Sequence, residues 1–278
     1  MDTIKFLYHT APGRFILKPL CGRTLSRLCG AFLDSRLSKP LIPVFLKKSG
    51  IDTEEYEMDG FKCFNDCFSR NVKPGRRPVE QDPMKMIAPS DGLLSVLPIE
   101  SGVVIPVKQS RFTVEGMLKD RKLAKRYQGG LCLVYRLCVD HFHRYGYVET
   151  GKKSKNRFIS GVLHTVQPIA LEKHPVFMEN CREYTCIKTK QFGVLTQMEV
   201  GAMLVGKIRN HEKDVAEVTR GAEKGTFLYG GSTIIVLVEA GKVAVNPEIL
   251  AASARGEETP VKYGQAVGTS VERGGYSR

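Results

Sequence analysis

The apolar residues change their period once along this chain, and that single change restricts the fold to helices first and strands afterwards. From Phe15, the residues Leu17, Cys21, Leu25, Leu28 and Phe32 recur every three or four positions, with Lys18, Arg23, Arg27 and Arg36 among them. This spacing predicts a basic amphipathic helix. Pro40 and Pro43 break it, Asp52-Thr53-Glu54-Glu55 caps and opens a short second helix, and Phe61, Phe64 and Phe68 line one face of a third. The helical period stops at Lys73-Pro74-Gly75-Arg76-Arg77-Pro78, the best candidate boundary. Beyond it, residues 102–107, 131–139, 184–189, 193–208 and 233–239 are short runs rich in Val, Ile and Leu and bounded by Gly or Pro, the pattern of strands. Residues 119–128 read as a helix, and the Gly/Ser/Arg-rich stretch 268–278 as a fraying tail. The expected class is α+β, with a basic helical region over 1–75 and a mostly antiparallel, β-rich domain over 76–278.

Charge adds a partner class. The 42 Lys+Arg exceed the 29 Asp+Glu by thirteen, and residues 1–48 alone hold nine basic residues against Asp2 and Asp34. A surplus of this size implies a polyanion. The basic residues are not interleaved with stacking aromatics, which argues against nucleic acid. An anionic membrane surface fits better, at about 1 kcal/mol per cation near the bilayer. The same apolar stripe could instead pack on the protein's own core, and the two roles are compatible. No apolar run approaches the length of a membrane-spanning helix, and the start has no signal-peptide pattern. The eight cysteines, at 21, 29, 63, 67, 132, 138, 181 and 186, form no Cys-x-x-Cys pair. They read as reduced and mostly buried, and no metal is expected from them.

Three stretches carry candidate chemistry. Gly230-Gly231-Ser232-Thr233 runs straight into an apolar strand; two glycines permit strained backbone that brings a hydroxyl against its own preceding carbonyl. Taken alone, it could equally be an ordinary turn. Pro89-Ser90-Asp91-Gly92 reads alone as a hairpin turn. Asp140-His141-Phe142-His143-Arg144 ends a strand, where alternation would aim His141 and His143 at one face and Phe142 at the other.

In combination these stretches, with Phe64-Asn65-Asp66-Cys67-Phe68-Ser69-Arg70, Arg77-Pro78, Leu163-His164-Thr165-Val166-Gln167-Pro168, Phe192-Gly193, Val200-Gly201-Ala202 and Val205-Gly206, occur in an order that resembles the phosphatidylserine decarboxylase family over nearly the whole length. The Gly-Gly-Ser-Thr form is most similar to the bacterial branch. The resemblance implies a carboxy-lyase made as a proenzyme, its β-rich catalytic domain self-cleaved between Gly231 and Ser232 into a β chain (1–231) and an α chain (232–278) that stay paired, with further dimerisation left open. It implies a pyruvoyl group made from Ser232, phosphatidylserine as substrate, phosphatidylethanolamine and CO2 as products, and a peripheral place on the cytoplasmic side of the cell membrane. Ser232 would be the nucleophile, Asp91 the orienting carboxylate and a histidine the base. Many relatives carry Tyr-His-Arg-Phe-His; the first histidine matches His143, but the second falls on Gly146. The division of labour is therefore assigned to His143 first and His141 second. The competing readings are a pyruvoyl decarboxylase of another serine-headgroup lipid or amino acid, and a basic membrane adaptor without catalysis.

Overall fold

A computed structural model describes residues 3–100, 103–104, 112–171, 174–202, 208–228 and 232–271. Helices Thr3–His9, Ala11–Leu20, Arg23–Leu33, Leu41–Ser49 and Phe64–Phe68 come first, and from Lys85 onward strands dominate. The single amphipathic helix expected from Phe15 is two helices. Cys21 and Gly22 form a turn between them, where Gly22 takes an extended conformation as the N-cap of the second. Pro40 and Pro43 do not end that helix, which has already stopped at Leu33; they sit at the start of Leu41–Ser49, where a missing N–H costs nothing. Asp52 caps the short 3-10 turn Thr53–Glu55 as its sequence predicts, accepting from the Glu54 N–H at 3.0 Å.

The main sheet has eleven strands among the described residues, and every pairing between them is antiparallel. At its centre Ser232–Val238 lies between Leu131–Leu137 and Val194–Val200, and Gly92–Glu100 pairs with the far side of Leu131–Leu137. All seven residues of Ser232–Val238 are buried. Alternation sends Ile235 and Leu237 into one core and Ile234, Val236 and Val238 into the other. A strand apolar on both faces can only sit where both faces are covered. The first face is roofed by Leu7, Tyr8, Leu17 and Cys21 of the leading helices, the second by Pro247–Ala254 and two small three-stranded sheets. Ala266–Ser270 pairs with both Lys85–Ile87 and Val243–Val245, so the expected fraying does not begin at Gly268. Residues 272–278 lie outside the described residues.

The N-terminal stripe divides its loyalties. Leu17 and Cys21 are buried in the core, while Phe15, Leu28, Phe32, Leu37 and Val44 are exposed. Phe64, Cys67 and Phe68 form a separate small core with Leu33 and Ile42, which sets Phe68 against the histidine segment.

Candidate active site

Register brings the three sequence-selected stretches to one edge of the main sheet. Leu93 pairs with Arg136 and Arg136 with Thr233, so the starts of Gly92–Glu100 and Ser232–Val238 flank the end of Leu131–Leu137. Asp91 immediately precedes the first strand, Ser232 opens the second, and the loop carrying His141 and His143 leaves the strand between them. With strands about 4.8 Å apart, Asp91 and Ser232 stand about 10 Å apart across this edge, with the histidine loop rooted in the middle. Gly231 and its carbonyl lie outside the described residues.

The histidines are not on a continuing strand. The strand ends at Leu137, the His141 N–H donates to the Cys138 carbonyl at 3.0 Å, and the Cys138 N–H returns a bond to His141 Nδ1 at 3.0 Å. This turn replaces the expected alternation, and it buries His143 completely while leaving His141 half-buried. His143 Nδ1 lies 2.9 Å from the His141 carbonyl oxygen. A carbonyl can only accept, so Nδ1 carries the proton and Nε2 presents its lone pair. Burial, with the nearby Arg70 charge, pushes the His143 pKa down to about 3, so the ring is neutral at physiological pH. The ring packs on Phe68 with centroids 4.0 Å apart.

Ten buried side-chain polar atoms lack a hydrogen-bond partner among the described residues, and five of them belong to residues at this edge or in the segments joined to it: Arg70 Nε, Ser90 Oγ, His143 Nε2, Ser232 Oγ and Thr233 Oγ1. Orphaned buried polar groups cost about 1–3 kcal/mol each and persist where chemistry needs them. A serine hydroxyl and an unprotonated imidazole nitrogen, both dry and both without a partner, are the components of nucleophilic activation.

Asp91 is buried and tied up elsewhere. Arg77 grips both its oxygens, Nε to Oδ1 at 2.8 Å and Nη2 to Oδ2 at 2.7 Å, and the Tyr263 N–H donates to Oδ1 at 2.8 Å. Among the described residues no hydrogen bond joins Asp91 to either histidine. Its charge still reaches His141: burial lowers the His141 pKa, while Asp140 and Asp91 pull it back up. Arg77 also holds Glu55 at 2.8 Å, and Lys262 holds the other Glu55 oxygen at 2.8 Å.

Several supporting residues had no role assigned from sequence. Arg70 is buried beneath the histidine loop; its guanidinium stacks over Tyr56 at 4.2 Å and donates to the carbonyls of Asp140 at 2.7 Å and His141 at 3.3 Å. Arg70 and Arg77 lay in stretches that mattered only through their order in the chain. Tyr263 lay in none. Its hydroxyl donates to the Gly221 carbonyl at 2.6 Å, and its ring fills the space beside Gly146: a Cβ there would overlap the hydroxyl and meet Cζ at 2.9 Å. The position at which the resemblance leads one to expect a second histidine, Gly146, is thus closed by a tyrosine. All eight cysteines are free.

A family model described as "Phosphatidylserine decarboxylase" matches residues 64–269. The chain is 39% identical over 266 residues to "Phosphatidylserine decarboxylase proenzyme 2" of Clostridium acetobutylicum, covering 95% of this chain and 91% of the relative. It is 37% identical over 272 residues to "Phosphatidylserine decarboxylase proenzyme" of Ruminiclostridium cellulolyticum, covering 96% and 91%. A Clostridium botulinum protein of the same description is 34% identical over 273 residues, covering 96% and 92%.

Proposed function

The chain belongs to the phosphatidylserine decarboxylase family, and on that footing we propose that it cuts itself at Gly231–Ser232, with Ser232 as nucleophile and His143 as base, and then decarboxylates phosphatidylserine to phosphatidylethanolamine. One observation supports this assignment of residues. The Ser232 hydroxyl, at the start of its strand, and the neutral His143 Nε2, in the loop from the neighbouring strand, are both buried and have no hydrogen-bond partner among the described residues.

His143 Nε2 takes the proton as Ser232 Oγ adds to the Gly231 carbonyl. The Gly231–Ser232 C–N bond breaks and an ester replaces it. Removal of the Ser232 α-proton expels the Gly231 carboxylate, and the dehydroalanine left at the new chain start takes up water and releases ammonia. The pyruvoyl group so made supplies the carbonyl that receives the substrate's amino group and the electron sink for loss of CO2. The site's polar groups fit its formation, since a dry hydroxyl beside a strand start is what the first step consumes. To His141, half-buried and under the influence of the Asp91 charge, we assign the return of a proton to the substrate α-carbon.

No helix among the described residues is long and apolar enough to cross a membrane. The exposed Phe15, Leu28, Phe32, Leu37 and Val44, set among cations, form a surface suited to lying on an anionic bilayer at the cytoplasmic side of the membrane. Residues 1–75 carry this membrane-facing surface, while their Phe68 and Arg70 pack on the histidine loop; residues 76–278 are the catalytic domain, the β and α chains remaining together as one heterodimer.

Intact-mass measurement tests the cleavage assignment. The wild-type chain should appear as fragments of 231 and 47 residues, and Ser232→Ala as one inactive 31.0 kDa chain. A processed or active Ser232→Ala protein overturns it.

A further inference from the structure

Away from the sheet edge, the fold gathers three residues that no sequence spacing would join. His164 lies in the loop before the helical turn Pro168–Leu171, His174 lies after it, and Glu179 ends the turn Val176–Glu179. One nitrogen of each histidine and one oxygen of Glu179 lie within 4.8 Å of one another. His164 Nε2 and His174 Nδ1 each stand 3.6 Å from the same oxygen, Glu179 Oε2.

That separation is too long for a hydrogen bond, which runs about 2.7–3.2 Å between heavy atoms. It is close to the ligand-to-ligand edge of a tetrahedron around Zn2+, about 3.4 Å for bonds of about 2.05 Å. We propose that His164, His174 and Glu179 form a site for a divalent transition metal of the Zn2+ class, and that the ion fastens the first two helices to the β domain.

The surroundings of His164 support this. Its Nδ1 lies 3.1 Å from the Tyr8 hydroxyl and 3.4 Å from Cys21 Sγ, so the ring is held on one side by the leading helices and offers Nε2 on the other. Metal-bound imidazoles are oriented in this way by a partner on the second nitrogen. The Tyr8 oxygen also receives the Thr165 N–H at 3.1 Å. The backbone of His164 is clamped by the fully buried Asn180, which accepts its N–H at 3.0 Å and donates to its carbonyl at 2.8 Å. The rings of His164 and His174 stack with centroids 4.1 Å apart. Side-chain exposures of 12%, 32% and 40% for His164, His174 and Glu179 leave a path for the ion and room for water as a further ligand. Two imidazoles and one carboxylate select Zn2+ over Ca2+ or Mg2+, which prefer all-oxygen sites.

The test uses the untagged full-length protein, stripped with chelator and titrated with Zn2+, with Co2+ as spectroscopic probe. The expected result is one equivalent per chain, at least tenfold weaker in Glu179→Gln, and abolished in His174→Ala. Tyr8→Phe should weaken binding by about tenfold, the lower end for a partner of a ligating histidine. Zn2+ should slow hydrogen exchange over residues 5–20 in the wild type but not in Glu179→Gln, a comparison that stands even where His174→Ala folds poorly. Binding no tighter in the wild type than in both variants, or thiolate charge-transfer absorption with Co2+, overturns the proposal.

Discussion

Arg77 holds Asp91 through both carboxylate oxygens, with both side chains almost sealed from water. Burial alone would discourage the charge on Arg77, yet the two carboxylates, Asp91 and Glu55, raise its pKa. The carboxylate assigned to the active site is therefore fixed in place by an arginine and by the Tyr263 N–H, and acts on the histidine loop as a nearby negative charge. Removing one member of a buried pair strands the other, at about 3–5 kcal/mol. Arg77→Met should lower stability by that amount, measured by urea denaturation. Arg77→Lys should recover only part of it, because an ammonium cannot occupy both oxygens at once.

The histidines should separate in kinetics. His143→Ala should slow self-cleavage by about 10²–10⁴-fold, the usual contribution of a positioned base. His141→Ala should slow cleavage less and instead depress turnover of protein that is already cut. Time courses of fragment formation on gels, alongside CO2 release from phosphatidylserine vesicles, distinguish the two. Equal cleavage defects would remove the assignment of His143 as the principal base.

Acid should destabilise the protein in two windows. His143 titrates at about 3 in the folded chain against an ordinary 6.5, so the unfolded chain takes up protons first and stability falls as pH drops below 6.5 toward 3. Glu55 is held at about 2, against an ordinary 4.5, by Lys262 and Arg77; its contribution is present above 4.5 and disappears as pH falls from there toward 2. In Ser232→Ala protein, which stays in one piece, His143→Phe should flatten the upper part of the thermal-midpoint profile. Glu55→Gln should flatten the lower part. An unchanged slope in both variants would show that these environments are wrong.

Gly146 and Tyr263 should behave as a pair. Gly146→His restores the residue common among relatives but drives its Cβ into the Tyr263 ring, with an overpacking cost of about 1–3 kcal/mol. Tyr263→Ala loses a large, half-buried ring, toward the lower end of the range of about 3–5 kcal/mol for buried aromatics. The double substitution should cost less than the sum of the two, since each relieves the other's defect. Thermal midpoints of all four proteins measure the coupling, and strict additivity would contradict the steric account.

Much of the fold was legible because it depends on local period. The change from helical to strand spacing near Lys73–Pro78 is visible in the order of apolar residues, and the Asp52 cap follows from residue type at one position. The division of the amphipathic helix at Cys21–Gly22 was not, since a continuous apolar stripe looks the same whether or not the chain turns between its halves. The histidine segment was misjudged as a strand because nothing local reveals that His141 Nδ1 captures the Cys138 N–H. Ser232 and Asp91 could be selected from sequence. Arg70, Arg77 and Tyr263 acquire their positions only through contacts across 14 to 172 residues of chain, beyond the reach of any spacing rule.

The strand Ser232–Val238, buried at every position between two hydrogen-bonded neighbours, has a consequence for the severed molecule. A cut at its leading end creates a new terminus without opening the interior, because the short piece is threaded through the middle of the long one and knitted to it again at Val261 and Ala266–Ser270. The proposed cut would therefore break a covalent bond yet free nothing. The new chain start would stay anchored by its own strand, facing the same neighbours as before the break.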